Sequence, residues 1–350
     1  MIGLWPVLVT ALERVVRIAV LIAVGVFLAN LAVSFGAVER VAGLSRYLTG
    51  PANLPDEVGT AILTTAASTT AGYGMLAEFR ESGRLSDRAT LVAVTINTFF
   101  GFVQHVFTFY VPVLIPILGA TVGVWYVGTR GLIALGITAV GVLGGAVLLG
   151  PEDVGRDGTV SDESGKTADG SPTATDGSEE MGDETEGATD ESVSVPDGGT
   201  DEATRERLRE AADSTWSKLR RIVPRLAVVY VVVTLVVARV DLQAASAAAG
   251  PLAEIAGLPA VAVGVIAVFA FDTTAGAATV APLIGGAVTP EEAVATMLLG
   301  GIVSFAVSTF KRSIPFQYGI WGPTFGSKVI AVNTALKVVF IGVAAAWFLV

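Results

Sequence analysis

Apolar positions in this chain come in long blocks rather than in amphipathic stripes. Four blocks, at roughly 12–35, 55–77, 89–111 and 124–149, precede a polar stretch, and four more follow it at roughly 222–247, 258–284, 293–313 and 327–349. Windows of ~20 residues with few or no charges are long enough to cross a ~30 Å hydrocarbon core. The pattern therefore predicts an all-α, polytopic membrane protein built from two halves of about four apolar segments each. Between the last two blocks of each half lies a connection rich in Pro and Gly, "YVPVLIPILGATVG" (110–123) and "SIPFQYGIWGPTFG" (313–326). Proline removes a backbone donor and disfavours helix in the residue before it. These connections are candidates for broken or re-entrant helices, which a bilayer tolerates only where protein or a cavity covers the backbone.

The two halves share more than block spacing. Leu54-Pro55 opens a stretch that ends in "ASTTAG" at Gly72, and Leu258-Pro259 opens one of equal length that ends in "FDTTAG" at Gly276, a constant offset of 204. "ILGATVG" (117–123) matches "IWGPTFG" (320–326) at an offset of 203, and Pro112 and Pro315 fall in that same register. Ordered matches of this kind mark an internal repeat. We divide the chain into a first membrane repeat (1–150), an acidic linker (151–214) and a second repeat (215–350).

Composition supports that division. The chain is 52% hydrophobic and 15% charged, with a mean hydropathy of +0.67. Its net charge of -10 is local, because residues 151–203 hold 17 acids and 2 bases, leaving 15 acids and 20 bases elsewhere. A segment so rich in Asp, Glu, Gly, Ser and Thr cannot bury enough apolar surface to offset its ordering entropy, and it reads as a disordered tether. Acidity, a preference for Arg over Lys and the absence of Cys fit a salt-loving archaeon. The apolar N-terminus reads as a retained first helix. Basic clusters flank the first block (Arg14, Arg17), the second-to-third connection (Arg80, Arg84, Arg88) and the fifth block (Lys218, Arg220, Arg221, Arg225). With four crossings per half, the positive-inside rule puts the N-terminus and the linker in the cytoplasm. Should one segment per half only re-enter, the repeats become inverted. The pattern leaves that parity open.

Candidate chemistry centres on the repeated phrase. Asp272 lies inside an apolar block, where a carboxylate costs about 2.5–3.5 kcal/mol on insertion scales and needs a compensating partner. Lys311 and Arg312 in the next block are the nearest charge partners in sequence; an interhelical ion pair and a ligand or ion site are equally open. Ser68, Thr69 and Thr70 in the first phrase, and Thr273 and Thr274 in the second, add hydroxyls. Small residues also favour close helix packing, but recurrence at equivalent places in both halves points to a central site. Asn97 and Gln104 lie seven residues apart on one helical face of the third block. His105, the single histidine, serves as a charge partner or, more simply, a structural hydrogen bond. Gln317, Asn333 and Lys337 make weaker claims in the second half. No P-loop, HExxH, GxSxG turn or interleaved basic patch argues for an enzyme, a cofactor, a metal or nucleic acid.

The stretches around "LTTAASTTAGYGMLAEF" and "TVAPLIGGAVTPEEAVATMLLGG" resemble archaeal membrane proteins described as nucleoside-recognition, or Gate-domain, proteins. Gate domains also occur in concentrative nucleoside transporters and in the membrane part of ferrous-iron transporters. The resemblance implies paired gates around a central path, with a nucleoside or a cation as substrate class; lack of a Cys or Met cluster turns it away from iron. We expect a transporter or permease for a small polar solute, multi-pass in the cell membrane, with the lipid bilayer as partner and homo-oligomerisation open. The rival expectation is a non-transporting scaffold or receptor whose repeated motifs only pack helices.

Overall fold

The computed structural model describes residues 4–34, 46–155, 201–239, 253–254, 257–309 and 313–349. Among these the protein is all-α, with isolated bridges in place of strands. Four helical runs are long and apolar enough to cross a membrane: Asp87–Leu118, Ala120–Leu148, Pro290–Ser308 and Ile314–Leu349. In chain order the elements are α1 (Leu4–Ser34), a single turn at Arg46–Thr49, α2 (Asp56–Ala67), α3 (Thr69–Glu81), α4 (Asp87–Ile96), α5 (Thr98–His105), a π-helix (Val106–Leu114) and α6 (Ile115–Leu118). There follow α7 (Ala120–Leu148), α8 (Asp201–Arg239), α9 (Val261–Phe271), α10 (Thr273–Val280), α11 (Pro290–Ser308) and α12 (Ile314–Leu349).

The acidic linker expected at 151–214 is shorter at its C-terminal end. Residues 201–214 belong to α8, whose opening "DEATRERLREAAD" is dominated by strong helix formers. Residues 156–200 lie outside the described residues. At the other end, Asp153 fastens the linker's root to the α3–α4 turn. It accepts from the Ser86 hydroxyl at 2.7 Å and from the Gly150 N–H at 3.1 Å, while the Ser86 N–H donates to its carbonyl at 2.9 Å.

The second apolar segment of each half, counted as a crossing with re-entry left open, is a hairpin. At Ser68 the helix breaks, and Gly72 of α3 comes to rest against Ala61 and Thr65 of α2. In a continuous helix, residues eleven apart would stand ~16 Å apart. Both ends of this hairpin return to one place. Asn53 donates to the Leu149 carbonyl at 3.3 Å at the end of α7, and the Gly155 N–H donates to the Arg84 carbonyl at 2.9 Å beyond α3. The second half repeats the design. Its chain breaks at Asp272 and Gly276 lies against Phe269, while Leu258 at the hairpin's base packs with Ala295 and Leu349. At ~1.5 Å per residue the arms reach roughly 18 and 20 Å in the first hairpin and 17 and 12 Å in the second, short of a bilayer core.

The Pro/Gly connections are second breaks. Gly119 (φ 82, ψ 161) and Gly322 (φ 74, ψ 163) take the same conformation, one reserved almost wholly to glycine. After each the chain doubles back, so that Gly123 rests on Ile115 and Gly326 on Gln317. Pro323 occupies the first position of the helix after the break, where its missing N–H costs nothing. Pro112 instead sits inside the helix, and the chain absorbs it by widening into the π-helix.

The breaks interlock the halves. Tyr73 of α3 packs on Phe316 and Trp321 of the short arm before Gly322, with ring centroids 5.9 Å away in both cases. Arg80 caps that stack over the Phe325 ring at 4.2 Å and pairs with Asp87 at 2.8 Å, which also holds Lys328 at 3.2 Å. In reciprocal fashion α10 packs on the π-helix and α6 of the first half.

Two outcomes follow from these contacts. A Cβ at residue 72 would collide with the Thr65 hydroxyl and sit 2.7 Å from the Ala61 carbonyl, whereas one at residue 74 meets nothing within 4 Å. Gly72→Ala should lower the unfolding midpoint in detergent, by ~1–3 kcal/mol of overpacking, and Gly74→Ala should leave it unchanged or raised. Its two hydrogen bonds hold the Asp153 carboxyl below the ordinary value of 3.8. Their contribution is therefore present above that value and lost as pH falls through the lowered one. Asp153→Ala should be less stable than wild type at pH 7, and the gap should close in acid when thermal unfolding is followed against pH.

Candidate functional site

Each repeated phrase forms the tip of a hairpin, and the residue that differs between them does the same job in both. Ser68 (φ -144, ψ 112) and Asp272 (φ -157, ψ 113) are extended residues between two helices. The Ser68 hydroxyl accepts from the Ala71 N–H at 3.4 Å, and the Asp272 carboxylate accepts from the Ala275 N–H at 2.9 Å. Their carbonyls accept from the N–H groups of Gly72 and Gly276 at 3.0 and 2.9 Å. Ser and Asp are near-equivalent N-caps, and the positive end of α10 favours the charged one. A carboxylate at apolar depth is thus compensated in part by the helix it begins.

The surroundings of the tips differ. Asp272, Thr273 and Thr274 are each only 4% exposed, whereas Ser68 and Thr69 are half-buried and Thr70 is exposed. Thr69 donates to Gln104 at 3.0 Å, bringing two of the expected site residues together. The two tips do not share one cluster: Tyr73 and Leu76 belong to an apolar core with Trp321 and Phe325, and Phe269 and Ala277 to another with Tyr110 and Tyr126. Asn97 lies at the junction of α4 and α5. Its Oδ1 is buried without a hydrogen-bond partner among the described residues, and Thr138 of α7 bridges the junction from Ile96 to Phe99. His105 is held by the Gly101 carbonyl of its own helix at 2.9 Å. Lys311 and Arg312 lie outside the described residues. Gln317 and Asn333 are buried, and buried Lys337 has its ammonium 4.6 Å from the centre of the Phe305 ring. No three His, Asp or Glu side chains come together as metal ligands among the described residues.

One polar residue escaped the sequence reading. Arg130, a third of the way along α7, is 6% exposed and lies on that helix's core-facing stripe with Tyr126, Ala134 and Thr138. Tyr110 is its hydrogen-bond partner, the Tyr126 ring centre is 5.7 Å from its guanidinium, and Gly301 of α11 makes room for it. Its signal was present as the lone charge in "ATVGVWYVGTRGLIALGITAVGVLGGAVL". The motif-based reading passed over it because it lies in no repeated phrase.

Comparison with known proteins finds relatives along nearly the whole chain. The uncharacterized protein MJ0871 of Methanocaldococcus jannaschii is 23% identical over 331 residues, covering 92% of this chain and 89% of its own. The uncharacterized protein MJ0880 of the same archaeon is 19% identical over 331 residues, covering 93% and 94%. No family model matches the chain. No solved structure matches it.

The capping geometry ranks substitutions at residue 272. Asp272→Ser and Asp272→Asn keep a capping oxygen and should retain near-native unfolding midpoints. Asp272→Ala should lose ~1 kcal/mol. Thermal unfolding of the three purified variants checks the order.

Proposed function

We propose that this protein is a membrane transporter or permease for a small polar solute, in which two inverted repeats meet around a path gated by the hairpins. The observation that carries the reading is the pair of hairpins: two segments that enter apolar depth, break at a capped polar phrase and return. Discontinuous helices at corresponding places in two halves are the pointer to a transporter's central site. Irregular backbone of this kind survives at membrane depth only where protein or an aqueous cavity lines it. The matching dihedrals at Ser68 and Asp272, and again at Gly119 and Gly322, support descent of the halves from one unit. Thr69, Gln104 and the Asp272–Thr274 tip supply groups that suit a hydroxylated solute or its coupling cation, and the resemblance to Gate-domain proteins favours a nucleoside.

With each hairpin re-entrant, a half crosses the membrane three times instead of four. The N-terminus and the linker then lie on opposite faces, in place of the shared cytoplasmic side that the count of blocks suggested. A scaffold reading draws on one specific observation, the capping role of Asp272, which accounts for its presence without a ligand.

Two measurements test the proposal. The chain has no Cys, so single cysteines placed near residue 2 and in the linker can be labelled with an impermeant maleimide in intact and lysed cells. Labelling of only one of them in intact cells is expected; equal labelling of both overturns the inverted topology. In proteoliposomes, wild type should take up a nucleoside or similar solute under a cation gradient. Asp272→Asn, which keeps the cap, should lose most of that flux. Flux absent from wild type across solutes and gradients leaves the scaffold, whereas flux unchanged in Asp272→Asn keeps transport and removes the Asp272 charge from its site.

A further inference from the structure

Arg130 poses a problem that the hairpins do not solve. A guanidinium stays protonated under all ordinary conditions, and taking it out of water is costly unless it is paired and fully hydrogen-bonded. Among the described residues it has no carboxylate within ion-pair distance, and its Nε is buried without a hydrogen-bond partner. What it has are soft neighbours: the Tyr110 side chain and the Tyr126 ring, both fully buried. Tyrosine faces attract a cation but do not neutralise it.

The neighbouring helix is shaped to take the arginine head. Gly301 faces the guanidinium, and a Cβ there would lie 3.2 Å from Nη1. The preceding residue, Gly300, takes Phe269 of α9, three residues before the Asp272 tip. Adjacent glycines of α11 thus receive Arg130 from the first half and the second hairpin from the other. Arg130 stands next to the element expected to move.

We propose that Arg130, with Tyr110 and Tyr126, is an anion-binding site, and that the anion is the carboxylate or phosphate of the solute the protein carries. The second clause rests on the transport reading; the first does not. The planar fork of a guanidinium matches two oxygens of either group and forms charge-assisted bonds that a neutral ligand would not receive. Lysine would keep the charge and lose the fork.

Purified full-length protein, titrated at constant ionic strength with sodium acetate and separately with sodium phosphate against a chloride background, gives the test. The unfolding midpoint of wild type should rise saturably with at least one of them, since a ligand of the native state stabilises it. Arg130→Lys should bind about 10- to 100-fold more weakly, the loss of one charge-assisted pair, and Arg130→Gln should not respond. Tyr110→Phe serves where the Arg130 variants do not fold, and it too should weaken the response. The same titration with a nucleoside and its monophosphate separates a free oxyanion from an anion borne by a solute: a tighter response to the monophosphate than to phosphate supports the solute. No saturable shift in wild type, or the same shift in Arg130→Gln or Tyr110→Phe, overturns the site. A saturable, Arg130-dependent shift with no flux in proteoliposomes keeps the site and overturns transport. Flux of a neutral solute that is indifferent to anions and intact in Arg130→Gln keeps transport and overturns the site.

Discussion

The structure depends on one requirement: a backbone that reverses direction at apolar depth must still satisfy its N–H and C=O groups. A helix that stops leaves several N–H groups of its successor without partners, and each costs a few kcal/mol away from water. At both hairpin tips the same short phrase meets the requirement. An extended Ser or Asp supplies its side chain to the third N–H beyond it and its carbonyl to the fourth. The fourth residue is Gly because that position is pressed against the first arm. The phrase "TTAG" is therefore the covalent record of a tight turn between two helices, and its recurrence reflects a constraint met twice.

That constraint propagates. Arms too short to cross expose flanks that another element has to cover, and each hairpin is covered by the broken arm of the opposite half. Tyr73, Phe316, Trp321 and Phe325 form a continuous aromatic run across the halves, topped by Arg80. Aromatic contacts of this kind contribute roughly 0.5–1.5 kcal/mol each beyond area burial. A hairpin packed this way cannot shift alone, because displacing it strips the opposite half of its packing. Two such contacts in opposite senses couple the halves mechanically.

Much of this was legible in the residues. The all-α character, the long apolar helices and the breaks at the Pro/Gly connections followed from hydropathy, Gly and Pro. What hydropathy could not show was whether a broken block crosses or returns. "ILTTAASTTAGYGMLAEF" carries a single charge over eighteen residues, and the extended backbone at Ser68 with the contact of Gly72 on Thr65 is what makes it return. Sequence could not foresee that Asp272 caps a helix, because the break before α10 is visible only in the backbone. It undervalued Arg130, which lies in no motif and is significant only because of what surrounds it. Asn97 and Gln104 share a helical face in the ideal geometry, yet the junction at Asn97 gives them different neighbours.

The halves differ where charge is concerned, and the differences have opposite sign. Asp272 of the second half stands where the first has Ser68, while Arg130 of the first stands where the second has Asn333, at the offset of 203 that relates the Gly119 and Gly322 breaks. Neither the turn at residue 272 nor the helix at residue 130 requires a charge for its backbone geometry. Ser68 shows that a neutral cap makes the same turn, and an apolar side chain in place of a buried arginine is often neutral or stabilising. Asp272 is accounted for by the helix it caps, whereas Arg130, with no carboxylate within ion-pair distance among the described residues, is the charge that packing leaves uncompensated, and it is there that the proposed anion would act.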